Sequence, residues 1–148
     1  MPLFADLVVS SPDIAPLERM PERLSADGGN ETPTIRISGV PEGTVELALV
    51  LHDPDAPLPN GFTHWVVYGL PAVDGPIDES AGRAAPNGTG QPGWFGPQPP
   101  AGHGEHHYYA WVYALSAPVE GTPTREEFLA SAQATILEQA RLVGSFSR

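Results

Sequence analysis

The chain has 148 residues, and 7 Lys and Arg against 18 Asp and Glu give a formal net charge of −11. This charge disfavours binding to nucleic acids and to anionic membranes, which normally requires a face rich in Lys and Arg. The absence of cysteine excludes disulfides, thiol nucleophiles and thiolate zinc sites. The 18 Pro and 16 Gly exclude a mostly helical fold and favour turn-rich β structure.

The length suits one domain over residues 1–148 with a single hydrophobic core. The N-terminus lacks the basic start and continuous apolar stretch of a signal peptide, and no apolar run has transmembrane length. We therefore expect a cytoplasmic protein.

The first half of the chain predicts three strands. Residues 5–10 predict a short strand, and a segment broken by prolines follows it. After a turn at 28–33, residues 34–39 alternate apolar and polar side chains, as an exposed strand does. Residues 45–51 form the clearest strand pattern, and this strand leads into a histidine and the turn DPDAP at 53–57.

Two aromatic strands follow, at 62–70 and 106–115. A period of two places on one face of the first strand Phe62, His64, Val66 and Tyr68. The same period places on one face of the second strand His106, Tyr108, Ala110 and Val112. Residues 71–104 between them are too rich in Gly and Pro for regular structure, and such long loops are usually functional or disordered.

The end of the chain predicts a helix. Thr124 and Glu127 have the spacing of a capping box. Apolar residues then recur at intervals of three and four, which predicts one amphipathic helix closed by Gly144; they are Leu129, Ala132, Ile136, Ala140 and Val143. The predicted fold is a mainly antiparallel β domain with a helix packed on it near the C-terminus.

The candidate functional residues lie at the ends of these strands, within segments 52–65 and 96–109 that hold all five histidines. Asp53 and Asp55 flank a proline, so their carboxylates have fixed directions and could orient an imidazole, bind an ammonium group or ligate a metal. Such a turn alone more often only caps a strand end. The concentration of imidazoles, carboxylates and aromatic rings predicts a small polar pocket.

His64 and His106, with Tyr108, are the strongest candidates for this pocket. The preceding segment, GPQPPAGHG at 96–104, offers a stiff apolar rim and glycines that admit a ligand close to the backbone. Of the remaining aromatics, only Trp94 is placed where it could lean over a ligand. We interpret three other histidines as structural or solvated: His52, His103 and His107.

As a set, these segments resemble the phosphatidylethanolamine-binding proteins, also called the Raf kinase inhibitor protein family, and in particular the short bacterial members. The resemblance covers nearly the whole chain and is more specific as a set than in any single piece. It rests on GGNETP (28–33), GVPEGTVELALVLHDPDAP (39–57), FTHWVVYGLPA (62–72), GPQPPAGHGEHHYYAWVYAL (96–115) and LVGSFSR (142–148).

The resemblance implies a PEBP-like fold, in which a large antiparallel sheet packs on a smaller one and an anion pocket lies at one end. The family's pocket residues fall on Asp53, Asp55, His64, Gly96, Pro97, Pro99, His106 and Tyr108. His107 stands where family members commonly carry Arg, and Glu105 stands where Pro is frequent. Both departures reduce the positive charge near the pocket mouth.

We therefore expect a binding protein for a small phosphate-bearing or zwitterionic molecule, with no catalysis, cofactor or metal. Imidazoles and backbone N–H groups would hold the anion, and Asp53 or Asp55 would fix a histidine tautomer. The resemblance also implies a homodimer. Short loops predict a pocket too small for acyl chains, and the net charge disfavours anionic bilayers.

Three alternatives remain open. A regulatory interaction module could contact a kinase or protease partner through residues 71–104. A hydrolase could use His64 or His106 as a base, although a G-x-S-x-G motif and cysteine are absent. A metal-dependent enzyme could use the same histidines and aspartates, although H-E-x-x-H spacing is absent.

Overall fold

The computed structural model describes residues 6–148, in which eight β-strands and one α-helix form. In chain order these elements are β1 (Val8–Ser10), β2 (Arg36–Ser38), β3 (Glu46–Asp53), β4 (Phe62–Leu70), β5 (Gly75–Pro76), β6 (Arg83–Ala85), β7 (His106–Leu115), α1 (Arg125–Ser131) and β8 (Ile136–Phe146). One sheet has the strand order β1-β2-β5, and the other has the order β6-β4-β3-β7-β8. All strand pairings are antiparallel, which confirms the expected large sheet and smaller sheet.

The predicted strands of the first half are observed. The pattern at 5–10 corresponds to β1, except that Ala5 lies outside the described residues. Residues 71–104 do contain regular structure, because β5, β6 and a short 3₁₀ turn at Glu79–Ala81 lie there. The small sheet and the edge of the large sheet thus take up residues that the glycine and proline content predicted to be loop.

The main core lies between the two sheets. β3 is buried along its whole length because β4 and β7 pair with its two edges and both faces are covered. Leu47, Leu49 and Leu51 of β3 face the small sheet, where Val9 and Ile37 meet them in one apolar cluster. Each such side chain contributes about 1.5–3 kcal/mol by leaving water.

The opposite face of the large sheet is covered by α1. Thr124 and Glu127 form the predicted capping box, which satisfies two N–H groups at the start of this short helix. Phe128 is 1% exposed, and its ring centroid lies 5.2 Å from that of Tyr68 and 5.3 Å from that of Tyr113. Within residues 6–148, no helix has both the length and the hydrophobicity needed to span a bilayer.

The predicted helix over the last part of the chain is wrong beyond Ser131. Residues 136–146 form β8, which pairs with every residue of β7. Ile136 and Ala140 fit a helical spacing, but they also fit a period of two, and alternate residues of β8 turn toward the protein. Pairing with the otherwise open edge of β7 therefore decides the conformation.

A β-bulge in β4 changes the predicted faces of this strand. Leu51 pairs with Trp65 while the next residue, His52, pairs with Thr63, so His64 is the extra residue. The prediction that His64 shares a face with Val66 and Tyr68 is wrong for this reason. Those two residues pack on the helix side of the sheet, in the second apolar cluster, while His64 lies against Tyr108 on the other side.

The packing of α1 can be tested by truncating its single buried aromatic residue. Phe128→Ala should lower the free energy of unfolding by about 3–5 kcal/mol, because it leaves a cavity between the helix and the sheet. Leu129→Ala, on the same helix but only partly buried, should cost clearly less. Urea denaturation of both variants checks this, and equal losses would contradict the described packing.

Candidate functional site

A pocket of about 260 Å³ opens where the central strands of the large sheet end. Because β3 is antiparallel to both neighbours, its last residue meets the first residues of β4 and β7 there. The turn after β3 and the loop before β7 complete the walls. The lining residues are Asp53, Ala56, Pro57, Leu58, Phe62, His64, Phe95, Gln98, Pro99, Pro100, His106 and Tyr108.

The floor of the pocket is a buried hydrogen bond between Asp53 and His106. His106 Nδ1 lies 2.7 Å from Asp53 Oδ2, and the two side chains are 2% and 4% exposed. The other carboxylate oxygen accepts from the backbone N–H of Asp55 at 2.7 Å. Since a carboxylate only accepts, His106 Nδ1 carries a hydrogen and the tautomer of the neutral ring is fixed.

His64 forms one wall as a neutral hydrogen-bond acceptor. Its Nδ1 lies 2.5 Å from the carbonyl oxygen of Phe95, so Nδ1 carries the hydrogen and Nε2 has the free lone pair. Burial lowers the pKa of His64 to about 4, although the Phe95 carbonyl and the Asp53 charge partly oppose this shift. The ring is therefore uncharged at neutral pH.

Tyr108 contributes a hydroxyl that stays protonated. Burial raises the pKa of the phenol, and the negative charges of Asp53 and Asp55 raise it further. Its ring meets the ring of His64 edge to face, with the centroids 5.2 Å apart. The hydroxyl can donate a hydrogen bond, in contrast to Nε2 of His64, which can only accept one.

An apolar collar surrounds these polar groups. The ring of Phe62 lies 4.8 Å from that of His64 and 6.0 Å from that of Phe95. Leu58 stands at the rim and is 54% exposed. Sequence reasoning anticipated Pro99 but missed Phe62, Phe95 and Leu58. The period-two spacing of Phe62 and His64 could have identified the first of these.

The chain is similar to known proteins over nearly its whole length. Residues 10–147 match the phosphatidylethanolamine-binding protein family. The chain belongs to this family. It is 38% identical over 142 residues to a UPF0098 protein of Aquifex aeolicus, covering 88% of this chain and 82% of the relative. A UPF0098 protein of Mycobacterium tuberculosis is also 38% identical, over 95% of this chain and 70% of the relative.

Solved structures support the same family fold. The chain superposes on YbcL of Escherichia coli, described as a new member of the mammalian PEBP family, with a TM-score of 0.88. The sequence identity is 29%, and the match covers 97% of this chain and 99% of YbcL. The mainly β fold with two antiparallel sheets is thus the fold of the family.

Not every predicted site residue lines the pocket. The structure brings together Asp53, His64, Pro99, His106 and Tyr108. Asp55 lies beside the pocket and is not part of its lining, since its Oδ2 accepts from the backbone N–H of His107 at 2.8 Å and lies 3.1 Å from Nδ1 of the same residue. Its carboxylate fastens the turn after β3 to the first residues of β7.

Gly96 and Pro97 support the pocket from behind and do not line it. A Cβ on Gly96 would collide with the backbone oxygen of Leu24, so glycine permits a close approach of two backbones here. The carbonyl of Pro97 accepts from the N–H of Ala26 at 3.0 Å. Both residues therefore dock the loop against the segment after the 3₁₀ turn at Glu22–Leu24.

Asn30 holds the same loop. Its Oδ1 accepts from the N–H of Gly96 at 2.7 Å, and its Nδ2 donates to the carbonyl of Trp94 at 3.4 Å. Phe95 lies between these two residues, and its carbonyl binds His64. Asn30 has a φ of 53°, a conformation that Asn tolerates better than most residues. The asparagine of the GGNETP segment thus positions a wall of the pocket.

Trp94 and His52 do not face the pocket. The idea that Trp94 leans over a ligand is wrong: its indole N–H donates to the carbonyl of Leu24 at 3.2 Å, and its ring packs edge to face on Trp65. His52 is buried, and its Nδ1 lies 3.0 Å from the hydroxyl of Thr63. Both have structural contacts.

His103, which we interpreted as solvated or structural, contacts the floor of the pocket. Its Nδ1 lies 2.5 Å from Nε2 of His106, while the residue as a whole is exposed. The missed signal is the H-x-x-H spacing of His103 and His106 across a glycine turn. Within residues 6–148, no group of three or more His, Cys, Asp or Glu side chains could hold a metal ion.

Asn30 offers a test of how the pocket wall is held. Asn30→Ala should lower the unfolding free energy by about 1–3 kcal/mol, because the N–H of Gly96 loses its acceptor and alanine is strained at this φ. It should also shift the imidazole NMR signals of His64. Asn30→Asp keeps the acceptor and should be milder on both counts; equal effects would contradict the assigned role.

The neutral state of His64 can be tested through the pH dependence of stability. Because its pKa is about 4 in the folded protein and about 6.5 when unfolded, the unfolded chain binds more protons between these values. The stabilisation is present above pH 6.5 and is lost as the pH falls toward 4, by up to about 3 kcal/mol.

His64→Gln should have a shallower decline in unfolding free energy over this window than the wild type. The buried His52, whose pKa burial also lowers to about 4, titrates in both proteins and cancels from the difference. Denaturant titrations at several pH values measure the two profiles. Parallel profiles would show that folding does not lower the pKa of His64.

Proposed function

We propose that this pocket reversibly binds a small phosphate-bearing molecule in its singly charged form, without catalysis. The observation that supports the proposal is the mixture of donors and acceptors that faces the pocket. Tyr108 offers an O–H donor, His106 offers a donor when its Nε2 is protonated and accessible, and His64 offers an acceptor. A phosphate monoester monoanion has both oxygen acceptors and a P–OH donor, so it complements this set.

The charge of the pocket selects against a dianion. Among the described residues, no Lys or Arg lines the pocket, and His64 is neutral because of its lowered pKa. Asp53 contributes one negative charge, which a protonated His106 would balance. With His106 protonated, the floor has a net charge of zero. A dianion would then place two uncompensated negative charges in a partly desolvated site, whereas a monoanion places one.

The apolar collar indicates which substituent the phosphate of the ligand would carry. Phe62, Phe95 and Leu58 would pack against an alkyl or aromatic substituent on the phosphate. An ammonium group would find fewer hydrogen-bond acceptors, because both oxygens of Asp53 already accept hydrogen bonds and the side chain is buried. The volume of about 260 Å³ is below the range of drug-sized pockets, which suits a small monoester and leaves no room for a long acyl chain inside the pocket.

The lack of a nucleophile supports binding without chemistry. Within the described chain, no Ser, Thr or Cys lines the pocket, so neither imidazole has an aliphatic hydroxyl or a thiol to activate there. The phenol of Tyr108 stays protonated because its pKa is raised. His106 is oriented by a carboxylate as a catalytic histidine would be, but Asp53 and His106 alone do not complete such a triad. The orientation serves equally well to aim an N–H at an anion.

A phosphorylated side chain of a protein partner is a second candidate ligand with the same chemistry. The exposure of Leu58 at the rim favours it, because an apolar rim residue could contact the chain that carries the phosphate. In this form the pocket would serve a regulatory interaction. Binding of a phosphotyrosine peptide more tightly than free phenyl phosphate would support it.

Isothermal titration calorimetry with phenyl phosphate and phosphoethanolamine at about pH 5.5 tests the proposal, since phosphate monoesters are largely singly charged there. Phenyl phosphate should bind more tightly, and its affinity should fall as the pH rises. Tyr108→Phe should weaken binding roughly 2- to 10-fold by removing one hydrogen bond.

His107→Ala is the matched control, because His107 contacts Asp55 and does not line the pocket. It should bind phenyl phosphate as the wild type does. NMR signals of the His64 and His106 rings provide a second readout. If neither ring responds to any of these anions, the proposed function is wrong.

A further inference from the structure

The contact with His103 occupies Nε2 of His106, which is the ring nitrogen that an anion would need. Asp53 uses Nδ1 of His106, so Nε2 is the one ring nitrogen left to donate to a ligand. That nitrogen lies 2.5 Å from Nδ1 of His103. In this arrangement a hydrogen between the two rings points at a ring nitrogen and not into the pocket.

The number of hydrogens on the ring nitrogens of His103 and His106 determines whether this contact can persist. With both rings neutral, Asp53 fixes the hydrogen of His106 on Nδ1, so Nδ1 of His103 must donate to Nε2 of His106. One added proton can be shared without breaking the contact. With two added protons both facing nitrogens carry hydrogens, and the rings must separate. Double protonation therefore frees two N–H donors beside the pocket.

We propose that His103 is a second cationic residue of the anion site: it leaves Nε2 of His106 when a ligand binds, and both imidazolium rings then face the anion. This inference rests on the proposed function and adds a residue and a proton count to it. Two imidazolium charges, the carboxylate of Asp53 and a monoanion sum to zero. With His106 alone protonated, the same assembly would carry one uncompensated negative charge.

The backbone around His103 allows this movement. Gly102 and Gly104 flank it with φ values of 75° and 91°, and the space beside each is open. The turn itself is anchored separately, because the N–H of His103 donates to the carbonyl of Pro100 at 3.1 Å. The N–H of Gly102 donates to the carbonyl of Arg148 at the same distance. The ring can thus rotate without loss of the hydrogen bonds that hold the turn.

The groups that face the pair from the neighbouring elements are negatively charged or neutral. From β3 and the turn after it, Asp53 and Asp55 supply negative charge, and the Asp55 carboxylate is held by His107. From β4 and β7, His64 and Tyr108 are uncharged at neutral pH, because burial lowers the pKa of the first and raises that of the second. At the end of the chain, the side chain of Arg148 pairs with Asp27.

A purely structural role for His103 makes a different prediction. If the contact only closes the turn before β7, then loss of the ring should change stability and leave the proton count of ligand binding unaltered. The two roles can therefore be separated by the pH dependence of affinity.

Phenyl sulfate is a suitable probe, because its single charge is constant across the histidine titration range of about pH 5 to 8. It lacks the hydrogen that a phosphate monoester donates to His64, so it should bind more weakly than phenyl phosphate, but its oxygens still accept from Tyr108 and from the imidazolium rings. Calorimetry at several pH values gives the association constant as a function of pH. In the wild type it should fall by more than tenfold per pH unit over part of this range, since two protons are linked to binding. In His103→Ala and His103→Gln it should fall by no more than tenfold per unit, and affinity at about pH 5.5 should drop tenfold or more.

His107→Ala is again the control and should keep the wild-type slope, because its ring is outside the pocket. Unfolding curves establish that each variant is folded. If the wild type binds but the His103 variants keep its slope and affinity, the role of His103 is refuted while the proposed function stands. If no protein binds phenyl sulfate or phenyl phosphate at any pH, both proposals are overturned.

Discussion

The pocket depends on the buried hydrogen bond between Asp53 and His106. It joins the last residue of β3 to the first residue of β7, where a two-residue difference in register would separate the groups. The same carboxylate also accepts from the N–H of Asp55 and so shapes the turn that carries one wall. Removing one partner of such a buried pair typically costs about 3–5 kcal/mol, since the other remains without compensation. The site and the strand ends therefore form together.

The bulge in β4 is the second constraint. A regular strand would place His64 on the same face as Val66 and Tyr68, under α1 and away from Asp53. One extra residue lets Trp65 enter the core between the sheets while His64 still reaches the pocket. A single strand thereby contributes to the core, to the helix-covered face and to the pocket. Bulges are common beside functional sites for this reason.

These two features show what a sequence can and cannot predict. The period of two in β7 was sufficient to place His106 and Tyr108 together, because the pairing of this strand has no register shift near these residues. The bulge at His64 depends on how two strands pair, which no local pattern in β4 reveals. Likewise, the spacing after Ser131 fits helix and strand equally, and only the free edge of β7 decides between them. The positions of Phe95 and Trp94 depend on Asn30, which is distant in the sequence.

The charge of the whole chain bears on the proposed binding of an anion by histidines. A protein with a net charge of −11 repels anions at neutral pH, and the described pocket contains no Lys or Arg to overcome this. An arginine in the pocket would attract anions at every pH. Imidazoles supply positive charge only when protons are available, so affinity and proton concentration become linked. Because His107 is engaged with Asp55, the proposed binding of an anion would draw its positive charge from His106 and the ring that touches it. Under the proposed function, the acidic surface and the histidines of the floor would act in the same direction, because both would favour singly charged ligands under acidic conditions.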